Sequence, residues 1–141
     1  MKVVVSACLL GENCKYNGGN NYSREVAAFL EGKEVIPVCP EMLAGLGVPR
    51  TPIEIVGEDV KTRDGQSVGA ALSMAVEEIL AQLDGQEIAC AILKSRSPTC
   101  GVKQIYDGTF SGTLVDGMGV LAAALQEKGY NVLDSEDFVC K

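Results

Sequence analysis

Two kinds of apolar spacing alternate along this chain. Short runs rich in β-branched residues occur at 3–7 (VVVSA), 34–38 (EVIPV), 88–94 (IACAILK) and 130–134 (YNVLD). Runs of this kind predict strands, those at 3–7 and 88–94 buried on both faces. Pro37 cannot donate to a ladder, so it marks the second strand as a strand end or a sheet edge. Between the strands the spacing turns helical. Ser23 offers an N-cap for a helix through about Leu30, with Val26, Phe29 and Leu30 on one face and Gly32 ending it. Val68, Ala71, Leu72, Ala75, Ile79 and Leu83 predict a long amphipathic helix from about Ser67 to Leu83. A last helix is expected from Val120 to Lys128, closed by Gly129.

The other segments read as connections. Residues 11–21 are rich in Gly and Asn, and 40–52 hold three prolines and two glycines, so both are expected to be irregular. Residues 53–65 alternate around Gly57 and predict a small hairpin arm. SRSPTCG (95–101) is a polar turn, and Gln104 to Asp107 predicts a short strand leading into a loop, DGTFSGTLVDG. Strands alternating with helices imply an α/β fold, here a single domain over 1–141. The expected architecture is a three-layer sandwich, Rossmann-like, with a mostly parallel sheet of four or five strands, helices on both faces and the hairpin arm.

Composition narrows the function classes. Apolar residues make up 47% and charged residues 22%, an ordinary globular balance. No apolar stretch approaches the roughly 18 residues of a membrane span, so no membrane partner is expected. The start, MKVVVSACLLG, reads as a core strand rather than a signal segment, and the expected location is the cytoplasm. A net charge of −7 opposes binding to a nucleic-acid polymer and leaves a small molecule as the expected partner. The chain has six cysteines and no histidine. Without a secretory signal, such cysteines point to metal binding or chemistry rather than to a disulfide framework. The missing histidine removes Ser–His and Cys–His catalysis and mixed Cys/His zinc sites. Proton transfer then falls to a carboxylate, Lys, Tyr or Cys.

Cys8, Cys39 and Cys100 each stand where an apolar run gives way to turn residues. Parallel strands deliver their carboxyl ends to one crevice, so these three thiols are expected to meet there in a metal or iron–sulfur site. Cys90, between two alanines in mid-strand, is expected to pack, and Cys140 to be incidental. Cys14 follows Cys8 in the same loop and is a possible fourth sulfur. Soft thiolates suit zinc, copper(I) or iron–sulfur clusters, and the pattern alone leaves that choice open. Glu41 follows Cys39 across Pro40, whose fixed φ constrains the carboxylate; it is either an acid–base group or a capping carboxylate. Ser97 precedes Cys100 and is either a turn cap or a functional hydroxyl. Arg50, Lys94 and Arg96 flank the same loops as anion holders or solvated charges. Tyr16, Tyr106 and Phe110 are loop aromatics that either stack on a planar ring or pin their loops. No phosphate-loop signature is present.

Taken together, SACLLGENCKYNGG (6–19), VCPEMLAGLGVPRTPIEI (38–55), LKSRSPTCG (93–101) and IYDGTFSGTLVDGMGV (105–120) resemble a small bacterial family. The family was long catalogued as a domain of unknown function and includes the thiouracil desulfidases. The resemblance covers nearly the whole chain, in order. It implies a [4Fe-4S] cluster held by Cys8, Cys39 and Cys100, with one iron left open to a thiolated substrate. It further implies removal of sulfur from a 2-thiouracil-like compound by substitution with water, without net redox change. By position it makes Glu41 the acid–base carboxylate and Ser97 a residue that positions substrate or water. Cys14 is a departure, since some desulfidase relatives have another residue there. Two rival readings stay open: a non-catalytic zinc protein with four cysteine ligands, and a metal-free cysteine nucleophile or thiol redox enzyme.

Overall fold

The computed structural model describes residues 2–48 and 50–138. Cys140 lies outside them. Four parallel strands form the main sheet: β1 (Lys2–Ser6), β2 (Glu34–Val38), β5 (Ile88–Leu93) and β8 (Val132–Asp134), in the order β2-β1-β5-β8. Three longer helices accompany them: α1 (Arg24–Leu30), α3 (Gly69–Leu83) and α4 (Val120–Glu127). The path steps from β1 to β2 through α1, then back across β1 to β5 through α3, and on to β8 through α4. Crossovers of one hand therefore place α1 on one face and α3 and α4 on the other.

The alternation of strand side chains divides the core accordingly. Val3 and Val5 pack with Cys90, Ile92 and, from α1, Val26 and Leu30. Val4, between them, points the other way and packs with Ala91, Leu93, Leu83 and Leu125. Each such aliphatic side chain, fully buried, is worth about 1.5–3 kcal/mol. Cys90 belongs to this core as expected, and burial raises its thiol pKa. Pro37 sits in β2, an edge strand, opposite Val5.

Two antiparallel hairpins stand outside the sheet: β3 (Ile53–Val56) with β4 (Asp59–Thr62), and β6 (Gln104–Tyr106) with β7 (Leu114–Asp116). The first is the expected arm. The second corrects a sequence expectation, because β7 lies in what reads as a loop; three residues among turn formers carry too little periodicity to show. The segment 40–52 is likewise not irregular throughout, because Pro40–Leu43 forms a short helix, α2, with Pro40 at its first position. Proline's missing N–H costs nothing there. Helix α3 begins at Gly69, not Ser67. Val68 N–H is spent on the Val60 carbonyl at 2.8 Å, and Ser67 bridges to Lys61, so both residues extend the hairpin.

Candidate metal centre

The crevice lies at the carboxyl ends of β2, β1 and β5, where the strand order reverses direction about β1. This is where open α/β sheets bind ligands. Past β1 the chain turns through a 3₁₀ segment, Ala7–Leu10, that carries Cys8. Asn21 fastens the following loop back onto it, its N–H reaching the Cys8 carbonyl at 2.9 Å. Past β2, Cys39 takes an extended conformation and caps α2, which puts Glu41 in that helix's first turn.

Past β5, residues 95–101 turn back over the sheet. The Ser97 hydroxyl oxygen accepts the N–H groups of Thr99 at 3.1 Å and Cys100 at 3.2 Å. Ser97 is therefore the device that shapes the turn holding Cys100. Gly119 permits the close approach of α4 to this turn, since a Cβ there would fall 2.4 Å from the Thr99 carbonyl carbon.

Cys8, Cys14, Cys39 and Cys100, with Glu41 and Ser97, all line one cavity of about 480 Å³. The thiols feel one another. Burial pushes Cys14 up to about 12, and the neighbouring Cys39 and Cys8 sulfurs add to the rise. Burial likewise pushes Cys100 up to about 12, against hydrogen bonds from Ser6 and Thr99 that partly offset it. Cys8 is raised by burial and by Cys39, with Asn21 and Lys94 acting the other way. Among the described residues no group of three or more Cys, Asp or Glu side chains is set to hold a single metal ion.

Glu41 is held from both sides. One carboxylate oxygen pairs with the Arg50 guanidinium, and the two side chains are only 15% and 7% exposed. Oε1 accepts from the Thr99 hydroxyl at 3.3 Å, and the Thr99 oxygen lies 2.9 Å from that of Ser97. Arg50 also donates to the Cys14 carbonyl at 2.8 Å and the Gly47 carbonyl at 2.7 Å, tying the Cys14 loop to α2. Sequence reasoning named Arg50 only as a flanking cation and missed Thr99 and Ser6. A serine inside an apolar buried strand was the available signal for Ser6. Lys94 and Arg96 also line the cavity; Lys94 donates to the Ser95 carbonyl at 3.2 Å, and Arg96 pairs with Glu136 at 2.8 Å.

Fold and site together define a class, a doubly wound α/β protein whose ligand crevice is walled by thiols from three adjacent strands. A family model described as 2-thiouracil desulfurase matches residues 3–137, and the chain belongs to that family. It is 37% identical to the uncharacterized protein YbbK of Bacillus subtilis (strain 168), over 96% of each chain. Its fold matches a solved [4Fe-4S]-dependent thiouracil desulfidase, TudS, with a TM-score of 0.89 and 36% identity, covering 96% of this chain and 91% of that one. Among the described residues, no helix is long and apolar enough to cross a membrane.

Proposed function

We propose that this protein is an iron–sulfur-dependent desulfidase that exchanges the sulfur of a small thiolated compound, of the 2-thiouracil kind, for the oxygen of water. The observation that carries the reading is the gathering of Cys8, Cys39 and Cys100 in one cavity beside an anchored carboxylate. Three thiolate donors without a histidine are a ligand set suited to a [4Fe-4S] cluster, and these three residues are the ones that would hold it. When bound, a cluster with one iron free of protein ligands supplies a Lewis acid that polarises the carbon–sulfur bond. The net change is hydrolytic: a thiocarbonyl and water become a carbonyl and hydrogen sulfide, and nothing is oxidised or reduced.

The chain's own groups have distinct tasks. Glu41 is the group that takes a proton from the incoming water at Oε1 and returns it to the departing sulfur. Arg50 fixes the other oxygen, so the carboxylate is presented in one orientation. The Ser97 and Thr99 hydroxyls continue from Oε1 as a hydrogen-bonded row that positions water or substrate. A metal-free nucleophile needs a thiol of lowered pKa, and burial raises Cys8, Cys14 and Cys100, which disfavours these three in that role. A metal displaces those protons directly. Anaerobic reconstitution with iron and sulfide, followed by a sulfide-release assay on thiolated pyrimidines, tests the reading. Brown protein that releases sulfide supports it; colourless protein with stoichiometric zinc and no release overturns it.

A further inference from the structure

The same cavity has a second stretch of wall, made by the two hairpins and by none of the cysteines. Glu54 of β3, Arg63 just past β4, and Phe110 from the loop between β6 and β7 all line it. Glu54 is only 8% exposed and has no cationic partner among the described residues. Its Oε1 accepts two backbone N–H groups, from Gly108 at 2.9 Å and Phe110 at 3.2 Å. Its Oε2 makes no hydrogen bond within the described structure, yet no sealed side-chain oxygen there lacks a partner. Oε2 is therefore an open acceptor on a residue of the cavity wall.

The loop that Glu54 grips is held under tension. Phe110 has φ 56, in the left-handed region, which costs a non-glycine residue about 1–2 kcal/mol. Gly108 comes so near the Ile55 carbonyl oxygen that a Cβ would fall 2.6 Å from it. The Arg63 guanidinium carbon lies 6.0 Å from the centre of the Phe110 ring. Strain of this kind persists only where surrounding contacts enforce it, and it concentrates at ligand clamps.

We propose that Glu54 and Phe110 form a recognition subsite for a planar nitrogen heterocycle, Glu54 Oε2 accepting a ring N–H while Phe110, backed by Arg63, covers the ring face. The identity of the ring, a pyrimidine-2-thione or its oxygen product, rests on the desulfidase reading above. A buried carboxylate discriminates sharply here. A ring that brings an N–H satisfies it, and a ring lacking one leaves it unpaired in a half-closed cavity.

The test uses Glu54→Gln in protein reconstituted anaerobically. Glutamine keeps a carbonyl oxygen for the two loop N–H groups but replaces the open acceptor by a donor. Calorimetric titration with uracil is read beside thermal unfolding and the KM for 2-thiouracil. Uracil affinity is expected to fall about tenfold to a hundredfold, with KM rising alike and the unfolding temperature kept. In the native protein, one of 1-methyl- and 3-methyl-2-thiouracil is expected to bind as weakly as the parent compound binds the variant. Unchanged uracil affinity in the folded variant overturns the subsite. So does equal binding of both methylated compounds and the parent by the native protein, a measurement that needs no variant. Sulfide release with an unchanged KM in Glu54→Gln leaves the desulfidase reading standing and removes the subsite alone. Uracil binding that is lost in the variant, without sulfide release from any thiolated pyrimidine, does the reverse.

Discussion

The cavity has walls of two different makes. The cysteine wall hangs from the ends of β1, β2 and β5, the first and last buried on both faces and β2 at the sheet edge, all three locked by parallel pairing. The hairpin wall comes from two short antiparallel ribbons outside that sheet, held by a carboxylate gripping backbone amides. In the first, position follows from the sheet and its core; in the second, from a smaller apolar cluster of Ile53, Val60 and Leu72 together with polar contacts between segments far apart in the chain. A rigid wall suits groups that must hold a fixed metal geometry. A wall of hairpins admits changes in loop residues without disturbing the sheet, which is where choice among substrates can vary.

Substitutions on each wall should therefore fail differently. The largest effect is expected for Cys39→Ala, which should abolish both iron content and sulfide release after reconstitution while leaving the circular dichroism of the fold in place. Retention of iron would mean that the cysteine wall does not hold the metal. Glu41→Gln should keep the iron and lower the rate of sulfide release by about 10²–10⁴-fold, the usual weight of a positioned acid–base group. Full activity in that variant would remove Glu41 from proton transfer.

Ile92→Ala, beneath the cysteine wall, should cost about 2–5 kcal/mol of stability in denaturant unfolding, since Ile92 is fully buried. An equal cost for Val115→Ala on the half-exposed edge of β7 would erase the contrast between the walls. Cys14→Ser should keep iron content and activity close to native, because three ligands are assigned without it. Loss of iron would make Cys14 a fourth ligand. The smallest effect concerns the hairpin arm. Hydrogen bonds from Ser67 and the Val60 amide hold Asp59 below its ordinary pKa of 3.8. A lowered pKa in the folded chain stabilises above 3.8 and loses that contribution as pH falls through the folded value. Asp59→Asn should thus unfold slightly earlier than native protein at neutral pH, and the gap should close in acid.

The contrast between the walls also marks what could be read from sequence. Strand and helix periodicities located β1, β5, α1 and α3, and the cysteines could be placed because strand ends in such a sheet share one crevice. Helix α2 escaped because Pro40 reads as a breaker although a helix tolerates it at the first position. Thr99 and Glu54 escaped for another reason. Thr99 meets Glu41 across 58 positions and Glu54 meets Gly108 across 54, so neither side chain has a local pattern to betray it. Ser97 was legible as a turn cap, and the hydrogen bonds show it shaping the Cys100 turn; its further part in positioning substrate or water belongs to the proposal.

The thiols at 8, 39 and 100 hang from strands that are neighbours in space and distant along the polypeptide. During synthesis the third arrives only after β5, which pairs beside β1, so no fragment that ends before β5 can assemble the full donor set. Cofactor insertion at this crevice would thus double as an inspection of three of the four strands, β1, β2 and β5. A chain that passes it gains the binding energy as added resistance to unfolding.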